Sequence, residues 1–198
     1  IPARFLPDLI QQITRLAGTG FQEKGLFYGS LRALATPRRL TLLVQDLAEK
    51  AQDVETEVKG PSVQAAYDEN GQPTKALLGF CRGQGLEPAD LYQKELNNNL
   101  YVFGRKKTLG RTAMEILPEL LPALADKLFF PKPMRWGDNP ARFVRPIHWI
   151  VALYGDTVLP FTYAGVASGR VSRGHRILGS DAIQIPEPGA YLDLLEQN

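Results

Sequence analysis

The sequence of 198 residues holds one cysteine, Cys81, and two histidines, His148 and His175. A lone cysteine excludes an internal disulfide and fits a reducing, cytoplasmic compartment. With only two histidines beside it, a zinc site built from this chain alone is not expected. No apolar stretch approaches the roughly 18 residues of a membrane span, so a soluble protein is expected. The opening residues 1–17 lack the basic start and small-residue cleavage site of a signal peptide. Neither G-x-x-x-x-G-K-[ST] nor G-x-G-x-x-G occurs, so no recognised nucleotide-binding loop is encoded. Neither histidine has a serine or cysteine at a diagnostic spacing, which leaves no visible nucleophile–base pair.

What is present suffices for a folded core: 44% hydrophobic and 22% charged residues. The formal net charge is only +2, but it is unevenly placed. Between Pro131 and Leu178 seven lysines and arginines face two aspartates, a local excess of +5 that leaves −3 for the remainder. Such a local basic face steers polyanions even when the total is modest.

Hydrophobic periodicity sketches the elements. Phe5, Leu6, Leu9, Ile10, Ile13 and Leu16 mark one face of an amphipathic helix, which Gly18 and Gly20 are expected to end. Two strand-like runs follow, 26–35 and 39–47, joined by "TPRR"; Leu40, Leu42 and Val44 share one face of the second. The acidic 49–62 reads as an exposed crossing, and a short helix is expected over 74–82. "LYVFGRKK" is a strand, and Thr112 with Glu115 forms a capping-box pattern before a helix that Pro118 and Pro122 should break. Residues 147–154 are apolar on both faces, which predicts a strand covered on both sides. Gly155-Asp156 predicts a hairpin turn, and a helix is expected after Pro188. The class is α+β, with mixed or antiparallel sheets and flanking helices. A boundary near Pro131 would divide an N-terminal α+β subdomain, 1–130, from a basic, β-rich one, 131–198.

Two constellations carry chemistry. In "GRVSRGHR", Arg170, Arg173 and Arg176 are spaced by three, but Gly169, Gly174 and Gly179 argue against a helix. A regular strand would turn Arg170 and Arg176 one way and Arg173 the other. A bulge at Gly174 would regroup them. These guanidiniums, with the His175 imidazole, either meet phosphates or pair with Asp138, Asp156 or Asp181. In "RWGDNPARFVRPIHW", Trp136 and Phe143 suit stacking on unpaired bases while Arg135, Arg142 and Arg145 hold a backbone. The competing reading has Trp136 plugging the end of the sheet and the arginines snorkelling. His148, inside an apolar run, reads as core. Cys81 reads as a buried thiol on an apolar helix.

"PRRL" at 37–40, "KGPS" with "AAYDENGQPTKALLGFCRGQG", "MRWG", "FVRPIHWIVALYGD" and "SGRVSRGHRILG" occur in this order. Together they closely resemble the beta subunit of the bacterial heterotetrameric glycyl-tRNA synthetase, over nearly the whole chain. The resemblance implies that an alpha subunit carries the class II site for glycine, ATP with magnesium, and adenylate. The beta subunit contributes tRNA binding, with no cofactor, metal or catalytic site on this part of it. The implied partners are the alpha subunit, the glycine tRNA and the remainder of beta, with no membrane. Lys132, Arg135, Arg142, Arg145, Arg170, Arg173, His175 and Arg176 are the residues assigned to RNA contact. Such subunits open with an apolar strand and continue into an HD-type domain and an anticodon-binding region, so this chain looks like an N-terminal piece. A docking module for alpha or the rest of beta is the main alternative, and an editing-type hydrolase the weaker one.

Overall fold

The computed structural model describes residues 1–68, 70–96, 99–135, 141–175, 177 and 179–198. In chain order the elements are α1 (Leu6–Glu23), β1 (Ser30–Thr36), β2 (Arg39–Gln45), β3 (Val54–Ser62), α2 (Val63–Ala66) and α3 (Lys75–Gln84). There follow β4 (Leu91–Leu96), β5 (Asn99–Thr108) and α4 (Ala113–Asp126). The last part holds β6 (Ile150–Val151), β7 (Leu153–Tyr154), β8 (Thr157–Val158), β9 (Thr162–Tyr163), β10 (Val166–Gly169), β11 (Val171–Ser172), β12 (Ile183–Gln184) and α5 (Tyr191–Glu196). This is the α+β class, with antiparallel ribbons and, among the described residues, one parallel pair, β6 beside β10. Two compact units result: 1–51 with 111–198, and 52–110 between them. The expected boundary near Pro131 falls inside the first unit. Phe130 and Val144, on either side of it, bury in one core.

In the first unit α1 buries Leu9, Ile13, Ala17 and Phe21, the stripe that its periodicity dictates. The helix does not stop at Gly18 or Gly20 but runs to Glu23. Gly20 is a contact position: a Cβ there would stand 2.9 Å from Leu120 Cδ1, so its absence lets α4 pack closely. On α4, Ile116, Leu117, Leu120 and Leu124 complete this core. The expected break at Pro118 and Pro122 is not seen; both prolines sit within one continuous helix. Four buried Leu and Ile side chains contribute about 1.5–3 kcal/mol each. That offsets the ~3 kcal/mol each interior proline costs.

The ribbon β1–β2 has an unbroken register from Ser30↔Gln45 to Thr36↔Arg39. Leu31, Ala33, Leu40, Leu42 and Val44 pack on the α1–α4 core, as the alternation dictates. Leu43, on the opposite face of β2, packs instead on a smaller core of Ile183, Ile185 and Tyr191. Residues 147–154 contribute to both cores in the same alternating way, Ile150 and Ala152 to the first and Val151 and Leu153 to the second. That run forms only the short strands β6 and β7. His148, expected in the core, is exposed, because it lies ahead of the paired residues. The hairpin β7–β8 turns at Gly155, whose φ of +57° favours glycine.

The second unit is an antiparallel sheet ordered β3-β5-β4, with α2 and α3 against one face. Its small core is Ala66, Leu77, Cys81 and Val102, so the thiol is buried as expected. The acidic segment read as a crossing is strand β3 instead. Its Glu55 and Glu57 lie opposite Lys107 and Arg105 of β5, and such cross-strand charge pairs favour pairing where apolar alternation is weak.

Candidate functional site

The turn between β1 and β2 is built by Thr36, whose Oγ1 accepts from the backbone N–H of Arg38 (3.3 Å) and of Arg39 (3.1 Å). This turn aims both arginines at Arg173 and Gly174 within the "GRVSRGHR" segment. Arg38 donates through Nη1 to the carbonyl of Gly174 at 3.3 Å. Arg39 donates through Nη2 to the carbonyls of Arg173 and Gly174. Those carbonyls are held still by the loop that follows. Gly174 N–H donates to Ser180 O at 2.7 Å, and a Cβ on the buried Gly174 would meet Ser180 N at 2.8 Å. A glycine is therefore required where the two backbones touch.

The indole of Trp149 lies among three guanidiniums. Their Cζ atoms stand 5.9 Å (Arg38), 5.8 Å (Arg39) and 5.6 Å (Arg173) from its ring centroid, within cation–π range. Three positive charges thus lie no more than about 12 Å apart, repelling by roughly 1 kcal/mol per pair at an effective dielectric of about 20. Among the described residues none of the three has a carboxylate partner; the ion pairs join Lys94 to Glu57, Lys107 to Asp53 and Arg111 to Glu119. Arg39 Nε is buried with no hydrogen-bond partner. Arg38, Arg39, Arg145, Arg173 and His175 also line one open cleft of about 1680 Å³, floored by the β2 and 147–154 side chains. Asp46, Glu49 and Asp181 line it as well, but none of them pairs with Arg38, Arg39 or Arg173. The arrangement is chemically an anion receptor with an aromatic wall, and its guanidiniums retain donors that no acceptor among the described residues uses.

Tyr163 also lines this cleft. Burial pushes its hydroxyl well above the ordinary tyrosine range, and the nearby Asp126 carboxylate adds to the shift. The hydroxyl makes no hydrogen bond of good geometry, so the effect of Asp126 is electrostatic. Held protonated at neutral pH, Tyr163 is no general base.

The assigned RNA residues separate into groups. Arg145, Arg173 and His175 come together at the cleft. Just past β11, Arg173 and His175 are exposed while Ser172 and Gly174 are buried. Arg170 points elsewhere, donating through Nη2 to Asp156 O at 2.6 Å and through Nη1 to Pro186 O at 3.3 Å. Lys132, Arg135 and Arg142 are exposed on the segments flanking the Met134↔Phe143 bridge and do not line the cleft. Arg176 and Trp136 lie outside the described residues. Arg38, Arg39 and Trp149 are the functional candidates that sequence reasoning missed. "PRRL" holds the two arginines and "FVRPIHW" the indole, but local spacing says nothing of a meeting between residues more than a hundred positions apart.

A family model described as "Glycyl-tRNA synthetase beta subunit" matches residues 1–198. The chain belongs to the glycyl-tRNA synthetase beta subunit family. The glycine–tRNA ligase beta subunit of Desulfitobacterium hafniense (strain Y51) is 51% identical over 191 residues, which is 96% of this chain and 28% of that protein. That of Desulforudis audaxviator (strain MP104C) is 46% identical over 198 residues, 100% of this chain and 29% of its own length. That of Bacillus subtilis (strain 168) is 43% identical over 196 residues, 99% of this chain and 29% of its own length. The chain thus spans less than a third of the relatives it matches. The resemblance read from "PRRL", "FVRPIHW" and "GRVSRGHR" is borne out, and in this beta-subunit fold those three motifs converge on Trp149.

Proposed function

We propose that this chain is the N-terminal part of a tRNA-binding, non-catalytic beta subunit, supporting the ATP-dependent attachment of glycine to its tRNA. The observation that carries this reading is the meeting of Arg38, Arg39 and Arg173 around Trp149, with no carboxylate partner among the described residues. Mutually repelling guanidiniums with spare donors are relieved by a polyanion, and phosphate matches their forked geometry. Exposed Arg38 and Arg173, with Arg145 and His175 on the same cleft, are the contacts proposed for the RNA backbone. Lys132, Arg135 and Arg142, exposed but outside the cleft, are proposed as further contacts, and Arg176 is retained as a candidate on the sequence alone. The alpha subunit is the partner that holds glycine, ATP and its magnesium, in a cytoplasmic heterotetramer.

A docking role fits two of the arginines better. Arg39 and Arg170 spend their donors on backbone carbonyls and are half-buried. They fasten the receptor rather than serve it.

The test is the double replacement R38A/R173A in the full-length subunit assembled with alpha. Glycine-dependent pyrophosphate exchange is expected to stay at the wild-type rate, while tRNA charging falls through weaker tRNA binding. The log–log salt dependence of binding should flatten by somewhat under about 1 for each phosphate no longer neutralised. Wild-type charging and an unchanged salt slope would overturn the reading.

A further inference from the structure

The second unit carries a surface of its own. Its helices cover only one face of the β3-β5-β4 sheet, through Val102 and Leu91. A strand sends alternate side chains to opposite faces. Tyr101 and Phe103 of β5 therefore lie on the open face, where register places Phe103 opposite Tyr92 and Tyr101 opposite Lys94. Lys59 of β3 stands on the other side of Phe103. Phe103 itself is buried beneath the flanking side chains, 6% exposed, whereas Tyr92 and Tyr101 are half-buried and Lys59, Lys94 and Arg105 are exposed.

Rings and cations alternate there. The Tyr92 and Phe103 rings are nearly parallel, 28° apart with centroids at 6.1 Å. Lys59 Nζ lies 3.7 Å from the Tyr101 centroid, Lys94 Nζ 5.4 Å from that of Phe103, and Arg105 Cζ 5.3 Å from that of Tyr92. The carboxylates of this face are already engaged or matched. Glu57 accepts from Lys94 at 2.8 Å and from the Tyr92 hydroxyl, which holds Glu57 below its ordinary carboxyl range. Glu55 lies opposite Lys107, which also pairs with Asp53 at 3.7 Å. Lys59 and Arg105 have no ion pair among the described residues and rest on aromatic faces instead.

We infer that this open sheet face binds unpaired RNA nucleotides, with bases stacking on Tyr101 and Tyr92 and the phosphates held by Lys59 and Arg105. Bases and tyrosine rings are planar π-systems, and base–aromatic stacking is stronger than the exposed cation–π contacts it would displace. The displaced cations are long, flexible and already positioned beside the rings, so they remain within reach of the backbone. An acidic peptide would satisfy the cations but leave the rings without a partner, which favours nucleic acid. Duplex RNA hides its base faces and would not use the platform. This surface belongs to the second unit and the Trp149 receptor to the first, so its failure would leave that reading standing.

Fluorescence anisotropy of a labelled seven-nucleotide single-stranded RNA tests it, with the same sequence annealed as a duplex and a hepta-glutamate peptide as comparisons. The chain is expected to prefer the single strand. Y101L should lower that affinity about tenfold, and Y101F, which keeps the ring, should restore it. K59A should weaken binding and flatten the log–log salt slope by about 0.7. R38A/R173A should leave the ratio of wild-type to Y101L affinity unchanged. Circular dichroism melts show whether Y101L is folded; if it is not, Y101W, which keeps a stacking ring, must bind at least as well as the wild type. Equal affinity for the duplex, effective competition by the peptide, or Y101L binding like wild type would each overturn the inference.

Discussion

Arg170 and Arg173 are three residues apart and have opposite employment. Arg170 ties the β7–β8 turn to the segment after β12 by two carbonyl bonds, whereas the Arg173 guanidinium lies over an indole in solvent. Hydrogen bonds from a charged donor contribute about 1.5–3 kcal/mol each when well made. Half-exposure of Arg170 puts the expected loss on R170A near the low end, about 1.5 kcal/mol in all, or roughly 3–6 °C in melting temperature for a chain of this size. R173A is expected to stay within about 0.5 kcal/mol of wild type, as most surface changes do. Scanning calorimetry of the two variants side by side checks this, and equal melting temperatures would remove the distinction. Nothing in the spacing of the "GRVSRGHR" arginines separates them. The distinction arises from carbonyls at Asp156 and Pro186 that only the folded backbone brings near.

Helix α4 shows which element-level signals can be read locally. The capping box at its start is present: Thr112 N–H and Oγ1 both donate to Glu115 Oε2, at 2.8 and 2.9 Å. The backbone bond first, then the hydroxyl, lowers the Glu115 carboxyl below its ordinary range. A carboxyl lowered on folding stabilises fully above its unfolded value, and that contribution fades as pH falls through the folded value. The melting temperatures of wild type and E115Q should therefore differ most near neutral pH and converge below about pH 4. Thermal melts from pH 3 to 7 test this, and a constant difference across the range would contradict it. The cap, the α1 stripe, the face of β2 and the turn at Gly155 were legible because each depends on neighbours within a few residues. The continuity of α4 through two prolines, the passage of α1 through Gly20 and the pairing of β3 were not. Each is decided by a surface contributed from a distant part of the chain. For the same reason the sequence offered Arg173 and His175 but not the meeting of Arg38, Arg39 and Trp149.

At the scale of the whole molecule, the first unit is discontinuous, and its two segments are fastened where the second unit leaves and returns. Ala51 N–H donates to Arg111 O at 2.9 Å, Ala113 N–H donates to Glu49 O at 2.8 Å, and Lys50 bridges to Thr112. Replacing residues 52–110 by a short Gly-Ser turn should leave the first unit folded, with a cooperative melt within a few degrees of the parent. A broad, non-cooperative transition would show that the fastening does not suffice. The arrangement also imposes an order on synthesis. The apolar stripe of α1 leaves the ribosome before its partner surface on α4, which is encoded roughly ninety residues later, a wait on the order of 5–20 s at about 5–20 residues per second. The second unit is contiguous and can close in that interval, while Leu9, Ile13 and Phe21 remain uncovered. A nascent chain stalled before Ala113 should thus be the form that trigger-type chaperones hold, and one released after Asp126 the form that lets go.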